Sequence, residues 1–134
     1  MERTLILIKP DAFARNLSGE IIARFERKGL RLVALNLLTL DQKLAAQHYA
    51  EHEGKGFYEE LVTFITSGPL VAMVLEGDQA VVAARQVIGA TDPLKAMTGS
   101  IRGDFAVEVG QNMVHGSDST ESAAREVKLF FPDL

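Results

Sequence analysis

The histidine at position 115 is the residue of this sequence that could serve the largest number of chemical roles. Residues 112–119 read NMVHGSDS, so His115 lies among small polar residues. It could be a packed core residue, a metal ligand, a proton shuttle or a nucleophile. A carboxylate or hydroxyl that holds one ring nitrogen frees the other nitrogen for attack, for example on phosphorus. Ser117 and Glu126 are candidates for that contact, and their spacing leaves open whether either reaches the ring.

Two further histidines, His48 and His52, occur in the segment HYAEH and match the pattern H-x-x-E-H. At positions i and i+4 of a helix they would share one face, which is the geometry that a zinc pair needs. Three fixed positions recur often by chance, and the surrounding helix is polar. We therefore interpret this segment as a solvated helix face and keep a zinc enzyme as the alternative.

Basic residues are the other candidates, because an anionic substrate needs positive charge. The sequence contains no G-x-x-x-x-G-K-[ST] motif, which excludes a P-loop. Arg85 lies in an apolar helical segment and Arg102 in an irregular one, where a surface charge is the ordinary interpretation. Lys9 ends an otherwise apolar strand, immediately before Pro10, and a lysine at such a place usually faces a cleft or a partner.

The composition is typical of a single globular domain, which we assign to residues 1–134, with 47% hydrophobic and 24% charged residues. No cysteine is present, which excludes disulfides and thiol chemistry. We recognise neither a secretory signal nor a transmembrane run, so we expect a cytoplasmic protein without a membrane partner. The net charge of −4 argues against a nucleic-acid binder but permits a small anionic substrate, because a local cluster of cations can reverse the field in one cleft.

The elements that must position these residues follow from hydrophobic patterning and capping signals. Ser18 is predicted to cap a helix that ends at Gly29, and Asp41 to cap the next helix. The segment 89–104 is rich in glycine and polar residues and is predicted to be an irregular loop. The other predictions are strands at 4–8, 31–40, 70–76 and 112–115, and helices at 18–28, 41–51, 57–65, 79–88 and 119–128. This order predicts an α+β fold with a ferredoxin-like β-α-β-β-α-β core, helices packed on one face of an antiparallel sheet, and extra helices inserted after strand 2.

The segment NMVHGSDS resembles the active-site signature of the nucleoside diphosphate kinases, and its Asn-x-x-His-Gly-Ser-Asp core is specific. The similarity also runs through RTLILIKPDA, QHYAEHEGKGFYEELV, TSGP, ATDP and GSIRGDF, and it covers essentially the whole chain. The resemblance implies that His115 takes the γ-phosphoryl group of a nucleoside triphosphate, typically ATP, and passes it to a nucleoside diphosphate in a ping-pong mechanism. It also implies Mg²⁺ as the cofactor, bridging the nucleotide phosphates without a direct side-chain ligand, and a homohexamer, with a tetramer as the alternative.

The same resemblance implies roles for the remaining candidates. Ser117 and Glu126 are expected to orient His115, and Tyr49, rather than the histidines of HYAEH, to face the site. Phe57 is expected to stack on the base, and no residue suggests that the edge of the base is recognised. The expected contacts to phosphate and ribose are Lys9, Arg85, Thr91, Arg102 and Asn112.

Some positions depart from the pattern of the resembling family. Gly56 stands where many members have proline, and Asp92 stands where many have asparagine. The segment 89–104 resembles the part of the family that packs at subunit contacts. A rival hypothesis is a catalytically silent relative that binds nucleotides or serves as a scaffold, which would bind a nucleotide without phosphoryl transfer.

Overall fold

The computed structural model describes residues 1–134, and a four-stranded antiparallel sheet with the strand order β2-β3-β1-β4 lies at its centre. The strands are β1 (Glu2–Ile8), β2 (Arg31–Leu38), β3 (Leu70–Gly77) and β4 (Val114–Gly116). The apolar runs of β1 and β3 are buried along almost their whole length, which is why these two strands occupy the middle of the sheet. The predicted α+β fold with a β-α-β-β-α-β core is confirmed.

Seven α-helices surround the sheet. They are α1 (Pro10–Ala14), α2 (Ser18–Lys28), α3 (Gln42–His48), α4 (Tyr58–Ile65), α5 (Ala80–Ile88), α6 (Ile101–Phe105) and α7 (Thr120–Phe130), and a short 3-10 helix covers Ala50–His52. The inserted helices after strand 2 are α3 and α4, as predicted. No helix combines the length and the apolar character that crossing a membrane requires.

The helices cover both faces of the sheet rather than the one face expected from the sequence. Successive residues of a strand point to opposite faces. Accordingly, Ile6 and Ile8 pack with α2 and α5, whereas Leu5 and Leu7 pack with α3, α4 and α7. Because β1 is apolar at consecutive positions, both faces need a helical cover.

The predicted capping residues give mixed results. Asp41 accepts a hydrogen bond from the Leu44 amide (2.7 Å) and caps α3 as predicted, and Gly29 ends α2 in the left-handed conformation (φ 103°). Ser18 is wrong as a cap, because it is the first helical residue and its buried hydroxyl has no partner. The segment 41–51 is also shorter as an α-helix than predicted, since α3 ends at His48.

Two short helices were not predicted. Helix α1 begins at Pro10. Proline was predicted only to end the preceding strand, but it also fits the first position of a helix, where the backbone needs no amide donor. Helix α6 begins within the segment 89–104 that was predicted to be irregular and ends one residue beyond it. The Ser100 hydroxyl accepts from the Gly103 amide (3.1 Å) and caps α6.

Candidate active site

His115 lies on β4, opposite Leu7 of the central strand β1. Met113, two residues earlier, has a left-handed backbone (φ 76°), which is uncommon for a residue with a side chain. Its carbonyl accepts a hydrogen bond from the Lys9 amide (2.9 Å), so the residue after β1 holds the entrance to β4 in place. The sheet therefore fixes the backbone of His115 next to that of Lys9.

A chain of hydrogen bonds holds one side of the His115 ring. Its Nε2 atom lies 2.8 Å from Oε1 of Glu126, on α7, and the Ser117 hydroxyl donates to the same oxygen at 2.7 Å. Ser117 Oγ in turn accepts from the Leu5 amide of β1 (3.2 Å). Nδ1 of His115 makes no hydrogen bond within the protein and is the ring nitrogen left for chemistry. The structure thus brings together the three residues expected to form the nucleophile and its orienting pair.

Glu126 is ionised in this arrangement. Burial of the carboxyl raises its pKa, but hydrogen bonds and charge from His115, together with the Ser117 hydroxyl, outweigh burial, so the pKa is lowered. An ionised carboxylate at Nε2 is suited to stabilise a positive charge that develops on the imidazole ring.

A cavity of about 650 Å³ lies in front of His115. Most of the residues expected from the sequence line it, whereas Ser117 and Glu126 stand behind the ring. The lining includes Lys9, Tyr49, Phe57, Arg85, Thr91, Arg102, Asn112 and His115.

Three cations lie near one another in the lining of this cavity. Lys9 Nζ donates to Oδ1 of Asn112 (3.0 Å), and Arg85 Nη1 donates to the Gly116 carbonyl (2.9 Å). Arg102 is buried and donates to the carbonyls of Asn112 (3.2 Å), Gly89 (3.3 Å) and Val114 (2.7 Å).

Burial and mutual repulsion lower the pKa values of two of these cations. Burial, followed by the charge of Arg102, lowers the pKa of Lys9 to about 8. Burial, followed by the charge of Arg85, lowers the pKa of Arg102 to about 10. A polyanion in the cavity would offset this repulsion, which favours a phosphate-bearing ligand.

The residue expected to stack on the base, Phe57, also lines the cavity, and it is 46% exposed. Its ring centroid lies 5.3 Å from that of His52, and Lys55 Nζ lies 5.8 Å from the ring. No Cβ atom would meet a neighbour at Gly56, so the glycine before Phe57 is not required by packing. Asp92 pairs with no cation, and its Oδ1 accepts from the Leu94 amide (3.0 Å).

His48 is the main residue whose environment differs from the expectation. It is 4% exposed, which contradicts the solvated face predicted for HYAEH, and its ring centroid lies 4.7 Å from that of His115. Because α3 ends at His48, the two histidines of the motif do not share a helical face. Tyr49 lines the cavity as expected. His52 lines it too, so the prediction that Tyr49 rather than the histidines of HYAEH faces the site is wrong for His52.

The sequence reasoning missed several cavity residues that carry no chemical motif. They include Glu60, Leu61, Phe64, Val109 and Gly110. Leu61 and Phe64 lie four and seven residues after Phe57, which directly precedes α4, and this helical spacing was the available signal. Glu60 is the only carboxylate in the lining, against three cations. A hard divalent cation would therefore enter this cavity with a polyanion rather than alone.

Comparison with known proteins gives one consistent result. The sequence model of a family described as nucleoside diphosphate kinase matches residues 2–134. The chain is 64% identical to a nucleoside diphosphate kinase of Parafrankia sp. (strain EAN1pec) over 133 residues, which cover 99% of this chain and 97% of that protein. It is also 64% identical to a nucleoside diphosphate kinase of Frankia casuarinae over 134 residues, which cover 100% and 98%.

Solved structures agree with these relatives. The crystal structure of apo nucleoside diphosphate kinase from Encephalitozoon cuniculi superposes with a TM-score of 0.97 at 44% identity, covering 99% of this chain and 90% of that one. A nucleoside diphosphate kinase family protein from Babesia bovis superposes with a TM-score of 0.95 at 46% identity, covering 98% and 88%.

Proposed function

The chain belongs to the nucleoside diphosphate kinase family, and from that premise we propose that His115 is its phosphoryl carrier. The protein is a phosphotransferase that moves the γ-phosphoryl group of a nucleoside triphosphate to a nucleoside diphosphate. The observation that carries the proposal is the hydrogen bond between His115 Nε2 and Glu126, because it leaves Nδ1 as the free nitrogen beside a cationic cavity.

The reaction at Nδ1 is a displacement at phosphorus. A bond forms between Nδ1 of His115 and the γ-phosphorus, the bond from that phosphorus to the bridging oxygen breaks, and the nucleoside diphosphate leaves. The ring gains positive charge in this step, and the ionised Glu126 stabilises that charge through Nε2. The incoming nucleoside diphosphate then reverses the step with its terminal phosphate oxygen as the nucleophile.

The cations and their neighbours neutralise and position the phosphates. Phosphoryl transfer depends on positioning and electrostatic stabilisation more than on covalent work by the protein. We assign Tyr49 to a place near the phosphorylated nitrogen, because it lines the cavity and burial raises its pKa to about 12, which keeps the phenol protonated as a donor. The contacts to phosphate and ribose are assigned to Lys9, Arg85, Thr91, Arg102 and Asn112.

Phe57 is assigned to stack on the base. Every base presents a π face, so stacking on an exposed aromatic ring accepts all of them. Broad tolerance of the base follows from this contact. The net charge of −4 is consistent with free nucleotides rather than a specific nucleic acid as the ligand.

Kinases of this family generally need a divalent metal, and we propose Mg²⁺ carried on the nucleotide phosphates. When bound, Mg²⁺ neutralises phosphate charge and fixes the geometry of the phosphates. The lining fits this arrangement, because its three cations would repel a free metal ion and bind a metal–polyphosphate.

We further propose a homo-oligomer, a hexamer in preference to a tetramer, in the cytoplasm where nucleotides are exchanged. Strand β2 is an edge strand that exposes Leu35 (47%) and Leu37 (56%), and the segment 89–104 exposes Leu94 (77%) and Met97 (81%). Apolar side chains so exposed support burial against other subunits. Sedimentation near six times 14.6 kDa is expected, and a monomer or dimer would contradict this part of the proposal.

The carrier is tested by incubating the protein with ATP and Mg²⁺, beside a His115→Ala control, and measuring intact mass. The wild type is expected to gain one acid-labile, base-stable phosphate that GDP removes, while the control gains none. If both proteins bind ATP and neither is labelled, the assigned chemistry is wrong and the silent nucleotide-binding module replaces it.

A further inference from the structure

His48 forms, with His115 and Glu126, a compact group of three potential metal ligands. One ligand atom from each residue lies within 4.8 Å of those of the other two, and no other trio of histidine, cysteine or acidic residues in the chain does so. We infer that this trio is a binding site for Zn²⁺ or a chemically similar transition-metal ion. We further infer that occupation of the site suppresses phosphorylation of His115, because a metal cation at Nε2 takes the place of the Glu126 carboxylate and opposes the positive charge that the ring gains when Nδ1 reacts. The metal site goes beyond the kinase reaction, and only the inhibition rests on the proposed role of His115.

The donor set is one that zinc uses. Two imidazoles and one glutamate are the protein ligands of a common class of catalytic zinc sites, in which water takes the fourth position. The three residues border a second, small cleft of about 190 Å³, which has room for such a water molecule.

His48 is free to act as a ligand. Its Nδ1 atom is buried and has no hydrogen-bond partner, which is costly for a polar atom in a protein interior.

The geometry requires a small adjustment. Zinc–nitrogen and zinc–oxygen bonds are about 2.0–2.2 Å long, which places tetrahedral ligand atoms roughly 3.3–3.6 Å apart. His115 Nε2 and Glu126 Oε1 are already 2.8 Å apart, whereas the trio spans up to 4.8 Å. Ligand atoms at the outer limit of this range must therefore approach each other by about 1 Å. His115 Nε2 and Glu126 Oε1 must separate by about 0.5 Å, so that the metal replaces their hydrogen bond.

The surroundings select the kind of metal. Arg125 Nη2 lies 3.8 Å from Glu126 Oε2, and its charge opposes an ion held by electrostatic attraction alone. Imidazole nitrogens bind Zn²⁺, Cu²⁺ and Ni²⁺ by coordination, whereas Mg²⁺ prefers six oxygen ligands. The Mg²⁺ that accompanies the nucleotide is therefore not a competitor for this site.

The HYAEH segment supplies a matched control for the test. Both of its histidines border cavities beside the active site, but only His48 belongs to the trio. Purified wild type, His48→Phe and His52→Phe proteins are dialysed against Zn²⁺ in excess Mg²⁺ without nucleotide, and bound zinc is measured. Phenylalanine keeps an aromatic ring and removes the ligand nitrogens.

We expect one zinc per chain in the wild type and in the His52→Phe protein. Loss of an outer-shell partner already weakens metal binding about 10- to 100-fold, so loss of a ligand in His48→Phe should cost more than about 100-fold. No zinc in the wild type, or zinc kept by His48→Phe, would overturn the site. If His48→Phe does not fold, Glu126→Gln replaces it, with the same expectation.

A separate measurement tests the inhibition. Zinc-loaded protein is mixed with ATP and Mg²⁺, and phosphate on the protein is followed before and after a zinc chelator is added. Labelling that appears only after chelation supports the inference, and equal labelling in both states overturns the inhibition. Labelling of the zinc-free protein reports on the kinase mechanism alone, so failure of the two proposals can be distinguished.

Discussion

Replacement of Glu126 by glutamine tests the link between the buried carboxylate and His115, the proposed nucleophile. The variant keeps the shape of the side chain and an oxygen that can accept from His115 Nε2, but it removes the negative charge. Glu126 Oε1 receives two hydrogen bonds, from His115 at 2.8 Å and from Ser117 at 2.7 Å. The charge matters most after Nδ1 has bonded to phosphorus, because the ring is then cationic and in contact with the carboxylate.

The magnitude follows from these two contacts. A hydrogen bond to a charged group contributes about 1.5–3 kcal/mol, against about 0.5–1.5 kcal/mol for a neutral pair. Weakening both bonds should therefore remove about 1–3 kcal/mol from the transition state, which slows phosphorylation about 5- to 150-fold. Affinity for ATP should change little, because Glu126 does not line the nucleotide cavity.

The assay is single-turnover phosphorylation by ATP and Mg²⁺, with nucleotide affinity measured separately. Ser117→Ala is the comparison variant and should slow phosphorylation less than Glu126→Gln, because it leaves the carboxylate charge and the bond to His115 intact. A Glu126→Gln rate constant within about twofold of the wild type, a difference of about 0.4 kcal/mol, would refute the reasoning. A parallel loss of ATP affinity would refute it as well, since the effect would then not belong to the reaction step.

The pH dependence of stability gives the same variant an internal check. The pKa of Glu126 is lowered in the folded protein, so its ionisation contributes stability above the pKa of the unfolded chain, and this contribution is lost as the pH falls through the lower, folded value. Glutamine does not titrate. The stability gap between the wild type and Glu126→Gln should therefore narrow as the solution is acidified, as unfolding midpoints at neutral and acidic pH would show.

The remaining predictions concern charge, stacking and packing. The pKa of Lys9 is lowered to about 8, so kcat/KM for ATP should fall as the pH rises through that value. Lys9→Arg should abolish this decline, and a decline that persists in the variant would belong to another group. Phe57→Ala should weaken binding by about 1–3 kcal/mol, to a similar extent for purine and pyrimidine nucleotides, and a loss confined to one base would contradict stacking. Gly103→Ala should destabilise the protein by about 1–3 kcal/mol or more in denaturant unfolding, because a Cβ there would overlap the Met97 carbonyl. As the control, Gly19→Ala in the first turn of α2 places a Cβ that meets no neighbour, so it should be neutral or stabilising.

The regular elements of the fold could be predicted because their determinants are local. An apolar run ending at Pro10 predicts β1, and a capping aspartate followed by a helical segment predicts α3. The two five-residue helices are too short to show periodicity. Helix α6 depends on contacts distant in sequence, such as the 2.6 Å ion pair between Arg24 on α2 and Asp104, which no local pattern reveals.

The candidate site could be predicted where a motif surrounds the residue and not where packing alone decides. His115 and Ser117 lie in a specific signature, whereas the contact of His48 with His115 depends on α7. Phe130 of that helix packs edge-on against the His48 ring, with centroids 5.5 Å apart. The polar residues of HYAEH indicate an exposed helix, and only the tertiary fold shows that His48 is buried beside His115.

Arg102 shows how an acidic protein maintains a cationic cavity. Its guanidinium donates to carbonyls before α6, at the entrance to β4 and within β4, so the charge is held by backbone atoms rather than by a carboxylate. A carboxylate partner would neutralise the field that a phosphate needs, whereas carbonyl groups fix the guanidinium and leave its net charge intact. The same hydrogen bonds join the segment 89–104 to the strand that carries His115. The repulsion among Lys9, Arg85 and Arg102 is therefore maintained by hydrogen bonds to the backbone, and binding of a polyphosphate can relieve it.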